Sequence, residues 1–201
     1  MINNIIFDLG RVLINWEPEK YMKKVFDENT TSFLLEKIFN TNDWNLMDKG
    51  VIDEQTLWEN KLNQYPEYKK EIEHMKNKVL DLLTPIEENA KLLYILKEKG
   101  YNLYILSNFS KIAFQKVYEK YDFFKLFDGM IISSHVKSIK PEDEIYKILI
   151  EKYKINPAES LYIDDKIENI KTGEKFGFKT IHLEKPEDLK DKLSKILKID
   201  I

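Results

Sequence analysis

The chain has 201 residues and no cysteine. Disulfides, a thiolate nucleophile and a thiolate metal centre are therefore excluded. Histidine is scarce: His74, His135 and His182 stand far apart and do not make an imidazole-built zinc site. Any metal chemistry must use oxygen ligands, which suits a hard cation such as Mg²⁺. Arginine occurs once, as Arg11. No apolar run approaches the length of a membrane-spanning helix. With a net charge of −3 and lysines interleaved with acids, there is no basic footprint for nucleic acid. The N-terminus enters an apolar run at once, so no signal peptide is expected and the expected location is cytoplasmic.

What the chain does contain is ordinary globular composition, 43% hydrophobic, in a length that suits one core domain with a smaller attachment. The most informative stretch is 2–10, INNIIFDLG. Its apolar run ends in a carboxylate, Asp8, followed by Leu9 and Gly10, and reads as a strand buried on both faces. A carboxylate at such a strand end stands where open α/β sheets bind ligands. Three more strand-end or turn segments follow. Residues 101–108 end in Ser107 and Asn108, Lys140-Pro141 precedes a helical pattern, and 161–165 ends in Asp164 and Asp165 with Asn169 four residues on.

From Pro85 onward the pattern alternates helix and strand. Helices are expected over 86–99, from Ser110, over 142–153 with Pro141 in the first helical position, around 167–176, and after Pro186. Strands are expected over 101–107, 129–134, 160–164 and 179–183. The alternation implies an α/β fold, a Rossmann-like doubly wound parallel sheet. Residues 15–84 break the rhythm, with amphipathic helical patterns over 20–28, 31–40, 53–64 and 67–83 and no strand. Some 70 residues exceed an ordinary crossover, so the expected division is a core of 1–14 and 85–201 with an inserted helical cap at 15–84.

Asp, then Ser-Asn, then Lys-Pro, then Asp-Asp-x-x-x-Asn, in this order, resembles the four motifs of the haloacid dehalogenase superfamily, mainly Mg²⁺-dependent phosphatases. The resemblance covers residues 1–185. Phe7 to Leu13 is similar to the FDLGxVL branch, which includes glucose-1-phosphate phosphatases and the phosphatase domain of soluble epoxide hydrolases. It implies the strand order third, second, first, fourth, fifth. It also implies hydrolysis of a small phosphorylated metabolite, such as a sugar phosphate, through an aspartyl-phosphate on Asp8. Ser107, the Asn108 N–H and Lys140 are then the phosphoryl-binding groups. Asp8, the Gly10 carbonyl and Asp165 are the implied Mg²⁺ ligands, Asp164 is a further ligand or a supporting group, and Asn169 orients Lys140 or the aspartates.

One position departs from the pattern. Most phosphatases of the superfamily carry a second Asp, the general acid/base, where this chain has Gly10. Its loss costs about 10²–10⁴-fold, so the rate is expected to depend on the leaving group unless a stand-in, Asp48 from the cap or a metal-bound water, replaces it. Arg11 either clamps a substrate anion or pairs with a cap acid such as Glu17 or Asp48. Trp16, Trp44, Leu46 and Met47 either face the site or form the cap's own core. Two other readings stay open: a 2-haloacid dehalogenase, against which the Asp164-Asp165 pair weighs, and a catalytically silent binding module, whose support is Gly10. A monomer or weak homodimer is expected.

Overall fold

Five short parallel strands carry the fold in the computed structural model, which describes residues 1–201. They are β1 (Asn4–Phe7), β2 (Asn102–Ser107), β3 (Gly129–Ile132), β4 (Ser160–Asp164) and β5 (Lys179–His182). Their spatial order is β3-β2-β1-β4-β5, as the motif order implied. Between β1 and β2 lie α1 (Pro18–Val25), α2 (Glu28–Leu34), α3 (Asn42–Asp48), α4 (Glu54–Gln64), α5 (Lys69–Lys78) and α6 (Glu87–Glu98). Then come α7 (Lys111–Lys120), α8 (Ser133–Val136), α9 (Asp143–Tyr153), α10 (Ile167–Lys175) and α11 (Leu189–Leu197). No helix is long and apolar enough to cross a membrane.

Strand side chains alternate between faces, and the sheet is apolar on both. Ile5, Phe7, Leu103, Ile105, Leu161 and Ile163 join residues of α6, α7 and α11 in one cluster. Ile6, Tyr104, Leu106, Ile131 and Tyr162 pack with residues of α9 and α10 in another. The register pairs Phe7 with both Ile105 and Ile163, so Asp8 emerges level with the ends of β2 and β4.

The segment before α6 holds only helices and has a cluster of its own, built on Met22, Leu34, Ile38, Trp58, Ile72 and Met75. Trp16 and Trp44 pack against it with their rings tilted on each other and on Phe39, so the aromatic residues do contribute to the insertion's packing. Polar contacts tie the insertion to the core. Lys49 Nζ lies 2.7 Å from Glu142 Oε1, and Ser133 Oγ donates to the Asp48 carbonyl at 2.5 Å. Glu54 Oε1 accepts from the Ala113 N–H at 3.0 Å and from Ser110 Oγ, capping the start of α7 from across the interface. Gly50 sits between the two parts with φ +69°, and a Cβ there would lie 2.6 Å from the Ser134 carbonyl. Both the backbone conformation and the close approach call for glycine.

Three local expectations are corrected. The strand expected over 129–134 ends at Ile132, and Ser133 and Ser134 begin α8. Helix α3 lies where no helical period was read: it is seven residues long, and the Thr41 hydroxyl caps it at the Trp44 N–H. Pro141 does not occupy the first position of α9, which begins at Asp143 after an extended Glu142. The Glu142 carboxylate instead accepts from Ser138 Oγ and the Ile139 N–H, holding a turn around Lys140-Pro141, whose peptide bond is cis.

Candidate active site

Asp8 follows β1, and every hydrogen bond to its side chain falls on one oxygen. Oδ1 accepts from the Leu9 N–H at 2.7 Å, from Ser107 Oγ at 2.7 Å and from Lys140 Nζ at 2.9 Å. None of these donors reaches Oδ2. Burial pushes the Asp8 carboxyl above the usual range, against the pull of Lys140 and with the push of Asp164. Ser107 ends β2, so parallel pairing of β1 with β2 sets its hydroxyl beside Asp8. That hydroxyl was expected to face phosphoryl oxygens; in this arrangement it holds the neighbouring carboxylate.

Lys140 reaches the same point from the turn before α9. Its side chain is 1% exposed, and Nζ lies 2.6 Å from Asp164 Oδ2 as well as 2.9 Å from Asp8. Asn108 locks this lysine by its backbone. Its Oδ1 accepts the Lys140 N–H at 2.8 Å, and its Nδ2 donates to the Lys140 carbonyl at 3.0 Å. Burial alone lowers a lysine pKa, but the Asp164 and Asp8 charges outweigh it and Lys140 is held above the usual range.

The two adjacent aspartates after β4 have separate fates. Asp164 is fully buried, and four donors surround it. Lys140 Nζ and Tyr162 Oη, at 2.5 Å, address Oδ2, while the Lys166 N–H and Asn169 Nδ2, both at 2.9 Å, address Oδ1. Burial raises its pKa, but the Lys140 charge and these donors bring the net result below the usual range. Both Asp164 oxygens are thus engaged by protein donors, one of them the Lys140 ammonium. Asn169 Nδ2 orients this aspartate, and its own carbonyl accepts from Tyr146 Oη at 3.0 Å.

Asp165 is less engaged. Its carboxylate meets only Arg11, whose Nη1 lies 3.6 Å from Oδ2, and burial together with the Asp8 and Asp164 charges raises its pKa to about 6. Arg11 is half-exposed, with φ 57°, and its Nη2 also donates to the Glu184 carbonyl at 3.3 Å. Neither cap acid named for it is its partner: Glu17 pairs with Lys20, and the carboxylate that Arg11 meets is Asp165 rather than Asp48.

The aspartates fit a hard cation. One oxygen each of Asp8, Asp164 and Asp165 lie within 4.8 Å of one another, and three carboxylates face one buried ammonium and one half-exposed guanidinium. The surplus negative charge at Asp165 is what a divalent ion with oxygen ligands relieves.

Gly10 lines the same chamber. Its φ is not in the left-handed region, and a Cβ there would meet only Trp16 Cβ, at 3.9 Å. The strained backbone next to the site belongs to Arg11 instead. The half-buried Asp48, at the end of α3, lines a chamber of about 490 Å³ together with Asp8, Asn108, Lys140 and Asp165. Burial and the nearby Glu54 and Asp8 charges, partly offset by Lys166, raise its carboxyl to about 7.

Sequence reasoning missed Tyr162 and Glu54. The signal for Tyr162 was present, because residues two apart on a strand share a face and Tyr162 precedes Asp164 by two. Nothing local to Glu54 marked it, since its partners come from a helix more than fifty residues away.

Residues 5–183 match the haloacid dehalogenase-like hydrolase family. A sesquiterpene phosphatase of Aspergillus oryzae is 27% identical over 178 residues, covering 89% of this chain and 88% of that protein. A D-ribitol-5-phosphate phosphatase of Bacteroides thetaiotaomicron is 26% identical over 209 residues, 98% of this chain and 99% of that one. Among solved structures, a haloacid dehalogenase family enzyme of Bacteroides thetaiotaomicron, in complex with magnesium and inorganic phosphate, superposes with a TM-score of 0.69. It is 28% identical, over 90% of this chain and 93% of that one. The parallel sheet, the ordered motifs at its strand ends and the family match over most of the length agree: the chain belongs to the haloacid dehalogenase-like hydrolases.

Proposed function

We propose that the protein is a Mg²⁺-dependent phosphatase that hydrolyses a small phosphorylated metabolite through an aspartyl-phosphate on Asp8. The observation that carries this reading is the cluster of Asp8, Asp164 and Asp165 at one edge of the sheet, with the buried Lys140 bridging Asp8 and Asp164. Relatives named as phosphatases along nearly the whole chain support it. A chamber of about 490 Å³ lies within the range of small-ligand sites, so the substrate is a metabolite rather than a phosphoprotein segment.

The ligands assigned to Mg²⁺ are Asp8, the Gly10 carbonyl and Asp165. When bound, the ion supplies positive charge that offsets the repulsion between the anionic ester and the aspartates. The chain's own groups do the rest. The Asp8 carboxylate forms a bond to phosphorus as the bond from phosphorus to the ester oxygen breaks. Lys140 and the Asn108 N–H stabilise the charge gathering on the phosphoryl oxygens. The Asp48 carboxyl, facing the chamber from the cap, gives its proton to the departing oxygen in place of the acid missing at Gly10. Its carboxylate then takes a proton from the water that attacks phosphorus, releasing phosphate and restoring Asp8. Asp164, fixed by Tyr162 and Asn169, keeps Lys140 charged and in place.

Release of inorganic phosphate from a panel of phosphorylated metabolites, with Mg²⁺ and with a chelator, tests this directly. Turnover is expected with the metal alone; an unchanged rate after chelation, or release of halide from 2-haloacids, overturns it.

A further inference from the structure

We infer that the substrate is a phosphate monoester whose alcohol carries a compact apolar group, a single ring or a branched alkyl, seated in a tryptophan-walled pocket under the helical insertion. This rests on the phosphatase reading and deepens it by naming the substrate class.

Two cavities meet at the end of β1. The polar chamber holds Asp8, Lys140 and Asp165. The second, of about 90 Å³, is walled by Trp16, Trp44, Trp58, Leu80, Leu83 and Phe109. Gly10, Asn108 and Asp48 border both, so the apolar pocket opens directly off the place where the phosphoryl group lies. Its tryptophans are the three that the chain possesses, and they arrive from separate segments: the loop after β1, α3 and α4.

The polar groups in this wall are largely committed to the protein itself. Glu54 Oε1 caps α7 through Ser110 Oγ and the Ala113 N–H, and both amide atoms of Asn108 hold the Lys140 backbone. A sugar ring here would bury hydroxyls with few partners, which is unfavourable, whereas an apolar ring would shed water from aromatic and aliphatic walls. Size narrows the class further. A dry cavity of roughly 150 Å³ accepts a benzene ring, so a pocket of about 90 Å³ takes only part of a ring or a branched alkyl group, the rest lying at its mouth toward the chamber, and not an extended chain. An apolar group packed beside Asp48 also keeps water from that carboxyl, which favours the protonated form the reaction needs.

Two esters of primary alcohols separate this class from a polyol phosphate without a large change in leaving group: cyclohexylmethyl phosphate and glycerol 3-phosphate. With Mg²⁺, kcat/KM is expected to be at least about tenfold higher for the first. Leu80→Phe, which fills the pocket, should lower that ratio about tenfold. A ratio of one or below in the wild type, or a ratio unmoved by Leu80→Phe, overturns the assignment. Binding gives a readout independent of turnover, because all three tryptophans line the pocket, Trp16 and Trp44 bordering the polar chamber as well and Trp58 the pocket alone. Intrinsic fluorescence should respond to cyclohexylmethylphosphonate at concentrations at least about tenfold below those needed for methylphosphonate. Such a response without hydrolysis of either ester keeps the pocket and overturns the phosphatase reading. Hydrolysis with equal responses to the two phosphonates keeps the phosphatase and overturns the pocket.

Discussion

Lys140 Nζ sits 2.6 Å from Asp164 Oδ2, in a contact where neither side chain has appreciable access to water. The same ammonium reaches Asp8, so one buried cation is shared by a proposed nucleophile and by a carboxylate enclosed in hydrogen bonds. Asp164 thereby fixes the cation, and the cation fixes Asp8. Removing the cation leaves two buried carboxylates without a counter-charge.

Lys140→Met should therefore do two separable things. Activity should be lost, and the metal-free protein should lose about 3–5 kcal/mol of stability at pH 7, because Asp8 and Asp164 remain buried without a cation. Urea denaturation across pH checks the cause. The deficit should shrink toward acid, where the orphaned carboxylates can take up protons.

Asp165 has the opposite signature. Its carboxyl titrates at about 6 in the fold, against 3.8 unperturbed. Between those values the native state holds the extra proton, so this group's contribution lowers stability as pH rises from about 4 to 6. The full displacement corresponds to an upper bound of roughly 3 kcal/mol, reduced in practice by solvent screening. Asp165→Asn should consequently raise the melting temperature of the metal-free protein at pH 7 while abolishing its stabilisation by Mg²⁺. Thermal melts with chelator and with Mg²⁺ check both signs.

These two aspartates show how far the sequence reaches. Strand-end positions of Asp8, Ser107 and Asp164 are legible because buried parallel strands leave continuous apolar runs, and topology then brings their ends together. Which of two neighbouring carboxylates is enclosed by protein donors is not legible in the strand pattern. It depends on Tyr162 and Asn169 closing around Asp164, and on Arg11 folding back to Asp165. Helix α3 escaped because seven residues are too few to display a period, although it carries Asp48 to the chamber. The turn at Lys140-Pro141 escaped because side chains of Asn108 and Glu142, not local propensity, define it.

Asp48 should act as an acid. Asp48→Asn should lower kcat for alkyl phosphates by about 10²–10³-fold and affect acetyl phosphate far less, since its leaving group needs no proton. The leaving-group dependence expected from Gly10 then appears in full in this variant. In the wild type, kcat/KM for an alkyl phosphate should fall as pH rises through about 7, where Asp48 loses its proton, and that limb should vanish in Asp48→Asn.

Gly10→Asp should be accepted by the fold, because φ at that position is not positive and a new Cβ meets only an ordinary contact with Trp16. In an Asp48→Asn background it should recover about tenfold or more of the lost rate on alkyl phosphates by supplying an acid beside Asp8. Steady-state kinetics of the double variant against Asp48→Asn provide the comparison.

The central claim, that Asp8 is the nucleophile that accepts the phosphoryl group in a Mg²⁺-dependent transfer, is tested most directly by comparing wild type with Asp8→Asn for phosphate release from acetyl phosphate. Acid-quenched samples of the same reactions give the mass of the peptide bearing residue 8. The expected result is Mg²⁺-dependent release with one phosphoryl group on Asp8 in the wild type, and neither release nor adduct in Asp8→Asn or under chelation. Sustained Mg²⁺-dependent release by Asp8→Asn would contradict it.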